Sequence, residues 1–549
     1  MPERELFFFN GSVFDGWRFL PAGTGVLVRD GRVVTVGDDK PPVSAEPVDL
    51  GGGTLVPGFI DAHAHPVFAG NQLRHCDLRS ADDAAGYVAL VATYARQHPE
   101  QAWITGGGWS MDAFTGGLPH RELLDAVVPD RPVFLPNRDG HGAWVNSRAL
   151  ELAGIDRATP NPPDGRIERD QLGNPTGMLQ EGATTLVGRL LPAVTAQGWY
   201  DALLTAQRHL LSFGITGWQD AIVGDYLDGA DPLPAYLRAA DDGSLAATVV
   251  GALWWDRDRG VDQVPELIER RDRWRGDRFR ASSVKMMLDG VAENHTASML
   301  EPYLGHDECT GDHRGLDFID PDELPGYVSR LDREGFQVHF HALGDRAVRN
   351  ALDAVQAARR SSGSTGRRHH LAHLQVVHPE DIPRFAELSA TANLQALWAA
   401  HEPQMDDYTI PFLGDRRSNW QYPFRSLLAS GAPMCGGSDW PVSSPDPILG
   451  IHVAVNRALP VEAGGCGGDA FIAEQSIELA SMLAAYTSGS AAVNGVEDRQ
   501  GSIRAGMDAD FAVIDADLAH LDAGDIWRAS VRQTWLRGDL GYSADVGAA

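Results

Sequence analysis

Two histidines separated by one residue follow an apolar run near the start of the chain and could bind a divalent metal. The run covers residues 56–60, and Asp61, His63 and His65 come directly after it. Alternate side chains of an extended strand point to the same face, so the two imidazoles and the carboxylate share one face, and Pro66 ends the strand there. We interpret the pair as half of a preformed metal site; a surface His-x-His pair is the alternative.

A lysine in a later apolar run has two interpretations. In residues 283–289, alternation places Lys285 and Asp289 on the inward face. Burying an ammonium group without a partner costs several kcal/mol, of order ~3–5 after relaxation. Lys285 therefore either forms an ion pair with Asp289 or a neighbouring carboxylate, or it has a lowered pKa and reacts with carbon dioxide to form an anionic carbamate that can bridge two metal ions.

Three further runs end in residues suited to the same site. His341 lies nearer the exit of its strand than His339, so we take His341 as the ligand candidate and His339 as a core or supporting residue. His373 has the inward phase in the next run, and Asp439 follows an apolar strand and is well placed as a general base.

The elements that must position these residues form a repeating pattern. Apolar strand-like runs alternate with helical patterns, which is typical of a parallel sheet built from βα units. We predict barrel strands near 60–65, 133–137, 217–220, 284–289, 337–341, 371–375, 392–397 and 432–439. We predict helices over 82–96, 198–213, 264–274, 322–334, 346–359, 379–388 and 476–485.

Eight such units close a (β/α)8 TIM barrel, an α/β fold whose catalytic groups lie at the carboxyl ends of the strands. A barrel of this kind needs about 250 residues, so we expect insertions near 103–120 and 155–180. Short strands and turns at both chain ends predict a small β-sandwich built from residues 1–57 and 488–549, with the barrel in 58–487.

Composition excludes several classes of protein. Asp and Glu number 75 against 46 Lys and Arg, which gives a net charge of −29 and disfavours binding to nucleic acid or to an anionic membrane surface. The four cysteines are far apart and form no Cys-x-x-Cys pair, so neither a disulfide framework nor a thiolate zinc knuckle is indicated. With no signal-like or membrane-spanning run, we expect a soluble cytoplasmic protein that binds a small molecule, and a homodimer is compatible with this expectation.

Five segments together resemble the amidohydrolase superfamily, and more closely its amidohydrolase-3 branch of YtcJ-like proteins and N-substituted formamide deformylases. The segments are 57–65, 284–285, 341–345, 372–373 and 437–442, with a further match at 501–511. The resemblance implies a metal-bearing barrel with a terminal sandwich and one or two divalent ions, with zinc expected. It implies these ligands, with Lys285 as the candidate N6-carboxylysine: His63, His65, Lys285, His341, His373 and Asp439.

We therefore expect hydrolysis of an amide C–N bond by metal-activated water, with catalytic roles for Asp439, His341 and Lys285. The substrate would be an N-substituted formamide or N-acyl amine with an apolar or aryl group, contacted by residues of the loops over the barrel mouth. Those residues, each of which could instead only pack its loop, are Trp109, His141, Asn294, His295, Trp398 and Trp440. An ester, lactone or cyclic-amide hydrolase and a catalytically silent scaffold are the alternatives.

Overall fold

The computed structural model describes residues 4–38, 40, 42, 44–225, 231–274, 276–305, 312–363 and 366–544. Its centre is a sheet of eight parallel strands, which in chain order are Phe59–Ala64, Ile215–Val223, Thr248–Trp254, Phe279–Met287, Gln337–Ala342, His370–His373, Thr391–Leu394 and Met434–Gly436. Two backbone hydrogen bonds link the segment after the eighth strand to the first: Asp439 N–H donates to His63 O (2.7 Å), and His65 N–H donates to Trp440 O (2.8 Å). The predicted TIM barrel is confirmed.

One of the eight predicted barrel strands was wrong. Val133–Pro136 belongs to a different sheet, and the barrel strand in its place is Thr248–Trp254. A short apolar run is compatible with any buried strand, so its sequence does not reveal its sheet. Gly251 interrupts the apolar run of the missed strand. It is a glycine for packing reasons, because a Cβ there would lie 3.2 Å from the Phe279 ring.

Helices surround the barrel and bury their apolar faces against it. In the helix Asp345–Ser362, the buried residues Val348, Ala351, Leu352 and Val355 follow the i, i+3, i+4, i+7 spacing of one helical face. Each of the seven predicted helices overlaps an observed one. The α-helices are Pro66–Leu73, Ala84–Gln97, Arg121–Asp125, Ser147–Ala153, Thr185–Gly188, Ala196–Ser212, Leu233–Asp241, Val264–Asp272, Leu324–Arg333, Asp345–Ser362, Ile382–Leu388, Pro403–Tyr408, Ile410–Ser418, Phe424–Ala429, Pro447–Asn456, Leu479–Ala484 and Ser490–Asn494.

A second sheet lies between the first and second barrel strands of the chain, and we call residues 76–188 the inserted module. The six strands of this sheet, in spatial order, are Gly165–Arg169, Pro175–Glu181, Gly142–Val145, Val133–Pro136, Ile104–Gly107 and Cys76–Asp77. Both segments expected as insertions fall within this module. It has its own apolar core, centred on Trp109, Leu135 and Trp144.

Strands from both chain ends pack together beside the barrel. A four-stranded sheet contains Arg32–Asp38, Thr24–Arg29, Glu5–Phe9 and Glu46–Asp49; a five-stranded sheet contains Ser12–Val13, Thr54–Pro57, Phe511–Ile514, Val531–Leu536 and Asp539–Ser543. The two sheets meet where the Phe8 ring packs edge-on against Phe511 (5.2 Å) and Trp535 (5.3 Å). Thr54–Pro57 pairs with Phe511–Ile514, so this layer joins residues more than 450 positions apart.

In the described part of the chain, Cys76, Cys435 and Cys466 are free thiols, and Cys309 lies outside the described residues. Within the same ranges, the helices are all too short or too polar to cross a membrane.

Candidate metal centre

The first barrel strand brings His63 and His65 to the carboxyl end of the barrel. The His63 side chain is 1% exposed and that of His65 is 15% exposed. Asp61, which precedes them in phase, has a different role: its carboxylate accepts hydrogen bonds from the Ser438 hydroxyl, the Ser438 N–H and the His63 N–H. Asp61 thereby fixes the first strand to the loop that follows the eighth.

That loop places Asp439 directly against the histidine pair. Asp439 Oδ1 lies 3.1 Å from His63 Nε2 and 2.9 Å from His65 Nε2. The loop can approach this closely because residue 437 is glycine: a Cβ there would lie 2.7 Å from His63 Cβ. The position of the carboxylate therefore depends on a glycine two residues before it.

His373 and His341 complete a ring of imidazoles around this carboxylate. His373 Nδ1 lies 3.8 Å from Asp439 Oδ2, and the His373 ring centre is 4.8 Å from that of His63 and 4.5 Å from that of His341. His373 (φ 81°) and Asp439 (φ 59°) both adopt the left-handed backbone region. Such residues cost of order 1–3 kcal/mol each and are found where function requires a side chain to be aimed.

Lys285 points into the same ring without a carboxylate partner. Its Nζ lies 3.5 Å from His63 Nε2, and the residue is 2% exposed. Among the described residues no carboxylate lies within ion-pair distance of Lys285. Asp289, the partner considered from sequence, instead accepts backbone hydrogen bonds from Ser298, Leu343 and Gly344. Burial lowers the pKa of Lys285 to about 7, against the opposing effect of Asp439.

The donor set fits a divalent cation. One ligand atom from each of His63, His65 and Asp439 lies within 4.8 Å of the others. Burial and then Lys285 lower the pKa of His63 to about 3, so its imidazole is neutral and carries a lone pair. Three buried atoms of the ring have no hydrogen-bond partner among the described residues: His65 Nδ1, His373 Nδ1 and Asp439 Oδ1. Neutral imidazoles, a carboxylate and unsatisfied buried lone pairs are what zinc and similar ions bind.

The inserted module brings His141 to the edge of this ring. The His141 ring centre lies 5.7 Å from that of His341. His141 Nδ1 donates to Glu181 Oε2 (2.9 Å), and Glu181 Oε1 accepts from the Thr296 hydroxyl (2.7 Å). Burial opposes protonation, but Glu181, assisted by Asp139 and Glu293, outweighs it and raises the pKa of His141 to about 9.

Glu181 was missed in the sequence. It ends the strand Pro175–Glu181 in a module whose strands show no βα repeat, so nothing in the sequence relates it to the barrel. The one available signal was a carboxylate at a strand end. Its φ of 50° lies in the left-handed region, as do those of His373 and Asp439.

The structure corrects the proposed substrate contact of two tryptophans. Trp109 is fully buried against Phe114 and Trp144, and its indole N–H donates to Leu135 O (2.7 Å). The Trp440 ring is 2% exposed and stacks on His209 of the helix Ala196–Ser212, outside the barrel. Large aromatic rings fill the cores of these layers, so neither ring is available at the barrel mouth.

Of the remaining predicted contact residues, Trp398 lies beside the ring of imidazoles, and Asn294 and His295 lie in the loop after the fourth barrel strand. The half-buried Trp398 ring stacks on His373, with 5.2 Å between centres and 2° between planes. Asn294 is 3% exposed, and neither of its amide atoms bonds to any described residue. His295 packs against Phe412 (4.3 Å) and Tyr303 (5.2 Å) in the loop after the fourth barrel strand.

Comparison with known proteins agrees with this geometry. The model of the amidohydrolase family matches residues 46–542. The chain is 29% identical to the protein YtcJ of Bacillus subtilis (strain 168), over 94% of each chain, and 27% identical to the N-substituted formamide deformylase of Arthrobacter pascens, over 98% of each chain. The crystal structure of a metal-dependent hydrolase from Pyrococcus furiosus superposes with a TM-score of 0.67 and 25% identity, covering 92% of this chain and 97% of that one. The chain therefore belongs to the amidohydrolase family and is a hydrolase of carbon–nitrogen bonds.

Proposed function

We propose that this protein hydrolyses the C–N bond of a small amide, an N-substituted formamide or N-acyl amine with an apolar or aryl group. One observation carries the proposal: His63, His65 and Asp439 place their ligand atoms within 4.8 Å of one another, beside Lys285 and His373, at the carboxyl end of a TIM barrel. The name of the Arthrobacter pascens relative, a formamide deformylase, supports this substrate class.

We assign the metal ligands to six residues, with zinc as the expected ion and one or two ions bound: His63, His65, Lys285, His341, His373 and Asp439. When bound, the ion would lower the pKa of a water molecule from about 16 toward about 7 and polarise the substrate carbonyl. The residues of the chain fix the geometry of that reaction and move its protons.

Lys285 is the ligand that needs modification. A neutral Nζ would attack the carbon of carbon dioxide and lose a proton, which gives an N6-carboxylysine with one negative charge. The missing carboxylate partner and a pKa of about 7 both support this step, because a substantial fraction of the amine is neutral near neutrality.

Asp439 is the proposed proton carrier. It would take the proton of the attacking water and deliver it to the leaving nitrogen as the C–N bond breaks. His341, in the ring beside His373, is placed to help polarise the carbonyl. His141 lies beside His341, with 5.7 Å between the ring centres, and a protonated Nε2 there would donate a hydrogen bond to the carbonyl oxygen.

The loops above the ring offer a mixed surface for the substrate. Trp398 gives an aromatic face beside His373, and Asn294 gives two unsatisfied amide atoms in a buried position. An aryl or apolar substituent would pack on the first, and the amide group would bond to the second.

Two measurements test the proposal. Metal content should approach one or two zinc equivalents per chain, and removal by a chelator should abolish hydrolysis until zinc is returned. A panel of N-formyl and N-acyl benzylamines, aryl esters and lactones should show turnover of the amides first. Preferred ester or lactone turnover would contradict the amide assignment, and a metal-free protein would contradict the site.

The role of Asp439 is tested separately with Asp439→Asn. Zinc content is measured alongside turnover, since the residue is also a proposed ligand. We expect at least a 100-fold loss of kcat in protein that retains zinc, the scale of general acid–base catalysis (about 10²–10⁴). Near-normal turnover would remove Asp439 from proton transfer.

A further inference from the structure

Beneath the ring of ligands, the barrel interior holds a chain of polar side chains that the hydrolytic steps do not use. His63 Nδ1 lies 2.8 Å from His339 Nε2, and His339 Nδ1 lies 2.7 Å from Gln219 Oε1. The same Gln219 oxygen lies 2.9 Å from His370 Nε2. Each of these side chains is at most 1% exposed, so water cannot replace any partner.

Backbone carbonyls fix the direction of the hydrogen bonds that Gln219 makes. Gln337 Nε2 donates to Arg368 O (2.7 Å) and Val493 O (2.6 Å), so Gln337 Oε1 is an acceptor. Gln219 Nε2 donates to that oxygen (3.2 Å) and to Asn494 Oδ1 (2.7 Å). Gln219 Oε1 must therefore accept, and both histidine nitrogens that face it must carry protons.

The contacts of Asn393 independently assign the protonation of His370. Asn393 Nδ2 donates to Ala62 O (3.0 Å), and the same nitrogen donates to His370 Nδ1 (3.1 Å). His370 is thus protonated on Nε2 and not on Nδ1, which is the neutral form. Two independent sets of contacts give one tautomer.

The protonation of His339 determines in turn which nitrogen of the metal ligand His63 carries a proton. The ring of His339 is fully buried and packs against the rings of His63 (4.6 Å) and His370 (3.9 Å), and no carboxylate of the described residues pairs with it, so a second proton on it would be an uncompensated buried charge. Neutral His339, with its proton on Nδ1, presents a lone pair at Nε2. The Nδ1–H of His63 donates to that lone pair, and the lone pair of His63 is left on Nε2.

His63 Nε2 is the atom that faces Asp439 Oδ1 at 3.1 Å and Lys285 Nζ at 3.5 Å. Two acceptors at 3.1 Å repel each other unless a cation lies near both. From this juxtaposition we propose that His339, Gln219 and His370 form a positioning relay, which holds His63 in its Nδ1-protonated tautomer and so sets the affinity of the site for its metal.

This inference rests on the proposed function, since it assumes that the ring holds a metal. It gives three side chains that are not proposed ligands, His339, Gln219 and His370, a measurable role that the proposed function does not include. A ligating histidine usually gives its other N–H to a carboxylate or a backbone carbonyl. Here the acceptor is a second imidazole, held in turn by an amide and a third imidazole, so the relay adds no negative charge beneath the metal.

The test compares two buried histidines of neighbouring strands. His339→Leu breaks the relay, whereas His369→Leu removes a histidine that is equally buried. Among the described residues, the His369 side chain bonds only to Asp332 Oδ1 (3.1 Å) and the Val338 N–H (3.0 Å). The readout is the dissociation constant of Zn²⁺ alone, measured by competition with a chromophoric chelator, with the thermal midpoint of metal-free protein measured in parallel.

We expect His339→Leu to weaken zinc binding by about 10–100-fold, the usual effect of removing the partner of a ligating histidine. His369→Leu should lower the thermal midpoint and leave zinc binding unchanged. Gln219→Met, which removes the acceptor of His339 at similar volume, should weaken zinc binding by a similar factor. It provides the same test should His339→Leu fail to fold.

Unchanged zinc affinity in folded His339→Leu or Gln219→Met, with wild-type protein binding zinc, would overturn the relay and leave the proposed function standing. An equal loss of affinity in His369→Leu would also overturn it, because the effect would then follow from any damage to this layer. Absence of zinc binding in wild-type protein would instead overturn the proposed function itself.

Discussion

Glu181→Gln offers the sharpest test of how the inserted module contributes to catalysis. The substitution keeps the size of the side chain and an oxygen for the Thr296 hydroxyl, but removes the charge that faces His141. His141 Nδ1 already gives its proton to Glu181, so Nε2 carries a proton only in the imidazolium form. In the wild-type protein, donation from Nε2 to the substrate therefore requires protonated His141. In the variant the new amide N–H faces Nδ1, so the neutral ring carries its proton on Nε2 and donates a weaker, uncharged hydrogen bond.

The structure gives the size of the effect. With Glu181 in place the pKa of His141 is about 9, compared with an ordinary value of 6.5. Because the folded pKa is raised, the imidazolium is present below it and is lost as pH rises through it. At pH 8 about nine-tenths of His141 is protonated with a pKa of 9, but only about 3% with a pKa of 6.5. With the ordinary pKa in the variant, and a neutral N–H replacing the stronger charged donor, kcat/KM should fall by up to about 30-fold at pH 8 and by under about 2-fold at pH 6.

The assay is a profile of kcat/KM from pH 5.5 to 10 with an N-formyl or N-acyl benzylamine. Wild-type protein should show an alkaline limb near pH 9, and Glu181→Gln should show it about 2.5 units lower. Glu151→Gln, an exposed glutamate on a helix of the same module, is the matched control and should leave the profile unchanged. An identical profile for Glu181→Gln and wild type would refute the reasoning, as would an alkaline limb that persists in His141→Gln.

Two further predictions concern packing. Gly437→Ala places a Cβ 2.7 Å from His63 Cβ, so the loop must shift. Zinc affinity, measured by chelator competition, should fall at least about 10-fold. An unchanged affinity would show that the loop is free to adjust. Trp109→Ala should lower the free energy of unfolding, measured by chemical denaturation, by about 3–5 kcal/mol. Zinc affinity should stay unchanged because the ring lies in the core of the inserted module. An altered zinc affinity would contradict that placement.

Much of the barrel could be predicted because the sequence repeats one physical pattern. Strands buried on both faces are apolar, and the helices between them show their own period, so seven of the eight strands were found. The inserted module could not be separated from the barrel in the same way. Val133–Pro136 is as apolar as a barrel strand, and only its pairing with Ile104–Gly107 and Gly142–Val145 shows that it belongs elsewhere.

The candidate ligands were predictable for a related reason. Catalytic groups of a barrel lie where strands end, and alternation decides which residues face inward. His63, Lys285, His341 and Asp439 satisfied both conditions in sequence, and the structure brings them into one ring. Trp109 and Trp440 were placed at the barrel mouth because they lie in an expected insertion and directly after the eighth strand. In a loop no strand alternation shows where a side chain points, and both rings are buried in the packing of their layers.

The partners of a buried histidine are what the sequence does not contain. His339 and His341 share a strand and a phase, and His339 lies one layer deeper, as its position in the strand predicts; the sequence does not show that its ring meets that of His63. Whether such a histidine binds metal, supports a ligand or fills space depends on which atoms face it from other strands. Here the deciding residue is Gln219, on a strand more than 100 residues away in sequence. The orientation of its amide assigns the proton of His339 to Nδ1, and this places the lone pair of His63 on Nε2. The ligand was visible in the sequence, but the tautomer that makes it a ligand depends on the assembled barrel.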